Sequence, residues 1–87
     1  MRLLWSDEAW EDYVYWQQNG QKVLQSINDL IHDIRRDPFK GLGKPEPLKH
    51  SLAGWWSRRI AHERRLVYRV SGRNAEFPDI IQCRYHA

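Results

Sequence analysis

The sequence predicts an α+β domain: a small twisted, mostly antiparallel sheet packed against an N-terminal helical hairpin, in the order β-α-α-β-β-β. Three observations carry that expectation. Apolar residues recur at three- and four-residue spacing through residues 1–37, interrupted once at Asn19-Gly20. A stretch rich in Pro and Gly follows at 38–48. Beyond it come three short runs of β-branched and aromatic residues, separated by polar turns.

Arg2 to Trp5 is short, apolar and suited to a strand. Ser6 followed by Asp7 and Glu8 is a helix start, with a capping hydroxyl and then two acids at the positive end of the helix dipole. Trp10, Tyr13, Val14 and Gln17 follow helical spacing, with Glu11, Asp12 and Tyr15 turned elsewhere. Asn19-Gly20 breaks this helix, since both residues tolerate a left-handed turn. A longer helix starts near Gln21 and carries Val23, Leu24, Ile27, Leu30, Ile31 and Ile34 on one stripe. Arg35 and Arg36 suit its negative end, and Asp37-Pro38 stops it. Residues 38–48 hold three prolines and two glycines and are expected to be a loop. Neither side of that loop is long enough to fold comfortably alone, so residues 1–87 are expected to form a single domain. Trp55 to Ala61 and Leu66 to Val70 have strand composition, with His62-Glu63-Arg64-Arg65 as a polar turn or strand end between them. Ser71 to Pro78 fits a turn, and Ile80 to Tyr85 a closing strand. Trp55 and Trp56 are strand neighbours and must face opposite ways, one toward the core. Trp5, Trp10, Tyr13 and Trp16 read as packing, as does Phe39.

Length and composition set the bounds. A chain of 87 residues buries only a little over ~60% of its unfolded surface. One cysteine, Cys83, rules out an internal disulfide framework and suits a reducing cytoplasm. No apolar run approaches the ~20 residues of a membrane span. The N-terminus meets charge by Asp7, unlike a signal peptide. The expectation is a small cytoplasmic domain. Its net charge of +3 hides an asymmetry. Residues 1–37 hold four basic and seven acidic side chains, whereas 38–87 hold ten basic and four acidic. Ten of the 14 cations are arginine, whose planar fork grips phosphate or carboxylate at two points. A solvated basic face is the commoner explanation of charge alone.

No cofactor is expected, because Gly41-Leu42-Gly43-Lys44 lacks the spacing of a nucleotide loop. Nor is a metal: Cys83 and His86, with His50 and His62 as further candidate ligands, fall short of any paired zinc pattern. A metal-free ribonuclease needs little: a base for the 2′-hydroxyl proton, an acid for the leaving 5′-oxygen, and cations on the phosphate. The nucleophile is in the RNA. The second half of the chain offers each part. Glu46 sits between Pro45 and Pro47, which restricts the backbone and can aim a carboxylate; Lys49 and His50 follow. Arg59, Arg64, Arg65 and Arg84 are phosphate donors, and His86 supplies an imidazole with a reference pKa near ~6.5. Tyr85 and Phe39 are candidates to stack on unpaired bases. Each has a plainer alternative as a loop acid, solvating charge or terminal residue.

Pro45-Glu46-Pro47-Leu48-Lys49-His50, Trp56-Ser57-Arg58-Arg59-Ile60, Arg65-Leu66-Val67-Tyr68 and Cys83-Arg84-Tyr85-His86 together resemble the YoeB toxins. These belong to the RelE/ParE superfamily of bacterial toxin–antitoxin systems. Leu4-Trp5-Ser6 and Trp10-Glu11-Asp12-Tyr13 extend the resemblance over nearly the whole chain. It implies a ribosome-dependent endoribonuclease that cuts messenger RNA in the A site and so stops translation. By motif match Glu46 is the general base, His86 the general acid, and Arg65 the stabiliser of the phosphate in the transition state. Lys49 and Arg59 join in binding phosphate, with His50, Arg84 and Tyr85 alongside. The resemblance also implies a homodimer and a YefM-type antitoxin that wraps its C-terminal segment over the toxin.

One position departs from the pattern. The family ends with a tyrosine after the histidine, whereas this chain ends His86-Ala87. Two explanations are open: a homologue that works without that aromatic, or a substitution at 87 that disarms the toxin so that it can be produced. The second is favoured, because an unneutralised toxin kills its host. Outside the nuclease class stand two alternatives. One is a non-catalytic toxin of the ParE branch that binds a topoisomerase; the other is a plain RNA-binding module. Neither requires Glu46, Lys49, Arg65 and His86 as a set.

Overall fold

The computed structural model describes residues 3–61, 64–71 and 77–82, with the backbone alone for 71 and 77–82. Strand β1 (Leu4–Trp5) leads into helices α1 (Asp7–Asn19) and α2 (Gln21–Arg36), then strand β2 (Glu46–Pro47). A single 3-10 turn at His50–Leu52 precedes strands β3 (Trp56–Ala61), β4 (Arg64–Ser71) and β5 (Phe77–Gln82). The described strands form one sheet in the order β1-β5-β4-β3-β2. β2, β3, β4 and β5 pair antiparallel in succession, and β1 lies parallel to β5. The expected α+β architecture is therefore present, with one addition. Glu46-Pro47, expected within a loop, forms a two-residue edge strand, where a proline costs no ladder hydrogen bond because its nitrogen can face outward.

Local chemistry explains the helices. The Ser6 hydroxyl accepts a hydrogen bond from the Ala9 N–H at 3.0 Å and caps α1, with Asp7 and Glu8 in its first turn. The α2 stripe falls as expected: Ile27, Leu30, Ile31 and Ile34 are buried, and Val23 and Leu24 pack against them. On α1 the inward face differs. Ala9, Asp12 and Trp16 are buried, while Trp10 is 50% exposed and Gln17 is exposed. Small Ala9 permits close approach, and Trp5, Trp10 and Tyr13 form their own ring cluster, with centroids 4.9–5.9 Å apart. Gly20 also differs from expectation. Its backbone is extended, at φ −169°, and its need for glycine is spatial: a Cβ there would lie 2.9 Å from the Trp16 ring.

The helices cover one face of the sheet, α2 over β3 and α1 over β5. The sheet contributes Ile60, Leu66 and Tyr68 to the core. β4 and β5 each start earlier than expected, at Arg64 and Phe77, so Arg64 and Arg65 are strand residues. The segments 62–63 and 72–76, expected as turns, lie outside the described residues, as does Cys83.

Between helix and sheet sits a charge that the hydropathy pattern does not announce. Arg58 is fully buried, and its whole donor set is used. Nη1 donates to Asp33 Oδ2 at 2.6 Å and to the Leu42 carbonyl at 3.2 Å. Nη2 donates to the carbonyls of Asp37 at 2.6 Å and Lys40 at 3.1 Å, and Nε to the Tyr68 hydroxyl at 3.0 Å. That hydroxyl donates in turn to the Pro38 carbonyl at 2.6 Å. Asp33 also accepts from the Leu42 N–H at 2.9 Å and from Arg36 at 2.6 Å. These donors, first the Leu42 amide and then Arg36, hold its pKa down at about 2 against the opposing effect of burial. Burial pushes the Tyr68 phenol up, with the Arg58 contact opposing. The loop can wrap this closely because Gly41, at φ +124°, has no Cβ to run into the Asp33 carboxylate. Phe39, expected in the core, is instead 44% exposed and lies against Trp56, with ring centroids 4.9 Å apart.

Two outcomes follow for stability. Ser6→Ala removes the α1 cap and is expected to cost about 1 kcal/mol in urea unfolding. Asp33→Asn leaves the Arg58 charge uncompensated and is expected to cost about 3–5 kcal/mol at neutral pH. Because the folded-state pKa is depressed, the carboxylate's contribution is complete above about pH 4 and is lost as pH falls toward about 2. The stability gap between parent and Asp33→Asn therefore narrows over that interval, and a gap that stays constant down to pH 2 contradicts the assignment.

Candidate active site on the open sheet face

Strand alternation sends neighbouring residues to opposite faces, and this divides the arginines. Arg58 enters the helix side. Arg64, expected to be a phosphate donor, lies 5.0 Å over the ring of buried Trp16 and so also packs toward the helices. Arg59, Arg65 and Arg69 take the other face, with Ser57 and Val67 buried between them. Arg59 and Arg65 are direct Cα partners across β3 and β4. Like charges in that position repel, and their tolerance calls for an anion nearby.

Glu46 supplies one. Its register partner is Ser57, which puts it on the same open face. Its flanking prolines restrict the backbone, and Pro47 pairs with Trp56 at the sheet edge. Pro45 follows the loop that the buried Arg58 ties down, and the Gly43 carbonyl accepts the Arg59 N–H at 2.7 Å. Ser57, fully buried, lies on β3 between Glu46 on β2 and Val67 on β4. Across β3 Arg65 Nη1 lies 3.3 Å from Glu46 Oε1, with the Arg65 side chain 24% and the Glu46 side chain 57% exposed. Two of the expected catalytic residues are thus brought together from separate strands. The pair is open to solvent, so its stabilising worth is at most about 1 kcal/mol and both groups remain accessible to a ligand.

Lys49 and His50 follow β2 directly. Lys49 precedes the 3-10 turn and His50 opens it with a positive φ of 59°; both are exposed. The Leu48 N–H donates to the Trp55 carbonyl at 2.9 Å and closes this loop onto β3. Arg84, Tyr85, His86 and Ala87 lie outside the described residues. Among the described residues, no group of three His, Cys, Asp or Glu side chains is placed to hold a metal ion, and no helix is long and apolar enough to cross a membrane.

Two features of this face escape sequence reasoning. Trp55, half-buried, turns to the open face, and the Arg69 guanidinium lies 4.5 Å from its ring centroid. The paired dipeptide Trp55-Trp56 signals that one ring points outward, but nothing local signals that Arg69 meets it. The Ser57 hydroxyl is buried and finds no hydrogen-bond partner among the described residues.

Residues 5–87 match the model of the YoeB-like toxin of bacterial type II toxin–antitoxin systems. The chain is 55% identical over 86 residues to Toxin YoeB of Escherichia coli strain K12, covering 99% of each. It is 52% identical over 86 residues to Toxin YoeB of Streptomyces coelicolor, again covering 99% of each. Among solved structures, the YoeB/ParE toxin from Agrobacterium tumefaciens superposes with a TM-score of 0.95 at 52% identity, over 100% of both chains. The YoeB of Staphylococcus aureus, solved as a dimer and in a heterotetrameric complex with YefM, superposes at 0.90 with 44% identity, over 100% of this chain and 98% of that one. With a family model spanning nearly all of it and relatives at this identity, the chain belongs to the YoeB-like toxins of bacterial type II toxin–antitoxin systems.

Proposed function

We propose that this chain is a ribosome-dependent endoribonuclease that cuts messenger RNA in the A site and thereby stops translation. The observation that carries the proposal is the Glu46–Arg65 pair on an open, arginine-lined sheet face. A carboxylate within reach of a guanidinium is what 2′-hydroxyl attack requires: a base for one proton beside a cation for the phosphate. A toxin that acts only by binding a topoisomerase has no need of that pair.

The chemistry balances without an external nucleophile. Glu46 takes the proton from the 2′-hydroxyl, whose oxygen bonds to the adjacent phosphorus. The bond from phosphorus to the 5′-oxygen breaks, leaving a 2′,3′-cyclic phosphate, and His86 returns a proton to the departing oxygen. Arg65 and Arg59 hold the non-bridging oxygens as charge builds there, and Lys49, His50 and Arg84 extend the cationic track. Arg65 turns from Glu46 to the phosphate as RNA enters, which frees the carboxylate for the proton. Tyr85 offers a ring for an unpaired base. The alanine at 87 attenuates the enzyme by removing an aromatic from the site. Residues 1–87 act as one domain, in the cytoplasm and as a homodimer. A YefM-type antitoxin neutralises it by laying an acidic segment over the same arginines.

The test is cleavage of message on programmed ribosomes. Glu46→Gln and Arg65→Ala are each expected to slow cleavage by about 10²–10³-fold with little change in unfolding, since both groups are partly exposed. His86→Ala is expected to do the same. Cleavage at the parental rate in all three variants overturns the assignment. Ala87→Tyr is expected to raise the rate, and equal rates in the two forms reject attenuation.

A further inference from the structure

We propose that Trp55 and Arg69 form a nucleobase-stacking subsite, which holds the base of a nucleotide next to the one cut at Glu46. The inference rests on the ribonuclease reading and extends it along the sheet.

Its basis is the register. The pairing of β2 with β3 sets Glu46 against Ser57 and Pro47 against Trp56, and the Leu48-to-Trp55 hydrogen bond continues it by one step. Trp55 therefore lies two residues from the Glu46–Ser57 row and shares its face. On β4, Arg69 lies two residues beyond Val67, which is the partner of Ser57. Tyr68 between them is fixed on the helix side by its bonds to Arg58 and Pro38, so Arg69 is turned to the open side. The indole–guanidinium contact at 4.5 Å confirms that both belong to one row. At the rise of a strand, that row stands about 7 Å from the row of Glu46. This is within the reach of one extended nucleotide.

The chemistry of the pair suits a base. An indole and a guanidinium are flat, both stack on nucleobases, and the cation adds attraction to the neighbouring phosphates. Arg69 also follows Arg59 and Arg65 on the open face, where Asp79 of β5 is its register partner. Trp55 is half-buried and Arg69 exposed, so the stacked pair reaches the surface of the open face. Stacking is tolerant of base identity, so this subsite contributes grip and a mild preference for the larger purine surface.

The experiment is a cycle between protein and message. Cleavage on programmed ribosomes is measured in the Ala87→Tyr form, using messages in which one A-site or neighbouring nucleotide at a time lacks its base. Trp55→Ala is expected to weaken kcat/KM about tenfold, Trp55→Phe to restore most of it, and thermal unfolding to stay within a few degrees of the parent. At one nucleotide position, loss of the base costs the parent about tenfold and costs Trp55→Ala nothing further. Arg69→Ala is expected to show a smaller loss at that same position. If Trp55→Ala cleaves as the parent does, or if its loss multiplies with base removal at every position, the subsite is overturned while the Glu46–Arg65 assignment stands. If the Ala87→Tyr form itself does not cleave, the ribonuclease reading fails and the subsite falls with it.

Discussion

The buried Arg58 guanidinium is the constraint on which the rest of the molecule is arranged. Moving an arginine into a protein interior costs several kcal/mol unless its charge and every donor are answered. Here one carboxylate, three backbone carbonyls and one phenol answer them. Those partners come from α2, the following loop and β4, so the charge is satisfied only when all three are in place. A loop that carries three prolines and two glycines in 38–48 has few backbone bonds of its own. Its conformation is set from within by a side chain reaching out from β3. It then delivers Glu46 to the sheet edge, beside the strand that supplies the anchoring arginine.

Much of this was legible in the sequence where a single period governs burial. The α2 stripe from Val23 to Ile34 lands on the core because every apolar residue in it serves one face. The α1 face was displaced because aromatic residues serve two purposes. Trp16 fills the core, while Trp10 and Tyr13 gather with Trp5 toward the outside, and hydrophobicity alone does not separate them. Asp12, read as outward, is buried, since an acid's place depends on partners that a local pattern does not contain. Phe39 was assigned to the interior by its type and instead lies on Trp56 at the surface. Gly20 was correctly a break, but for a neighbouring ring rather than for its dihedral freedom.

The candidate site was legible in its residue types and not in their arrangement. Glu46 between two prolines and the arginine-rich second half pointed to phosphate chemistry, and Glu46 and Arg65 do meet. What no linear pattern reveals is the sorting of like residues by strand parity. Arg58 and Arg59 are adjacent and identical in chemistry, yet one is a structural cation and the other faces solvent. Arg64 and Arg65 also take opposite faces, Arg64 laid on Trp16 while still exposed and Arg65 turned to Glu46. A count of basic residues therefore overstates the charge available to a ligand.

The placement of β1 has a consequence for how such a molecule comes into being. Leu4 and Trp5 have their ladder partners at Asp79 and Ile80, so the first strand waits for almost the last described one. Pairings this distant in sequence form late, after more local elements. The edge of the sheet beside β5 is incomplete until residues near 80 have been synthesised. A ribosome making this chain is thus far along its own message before the finished fold exists.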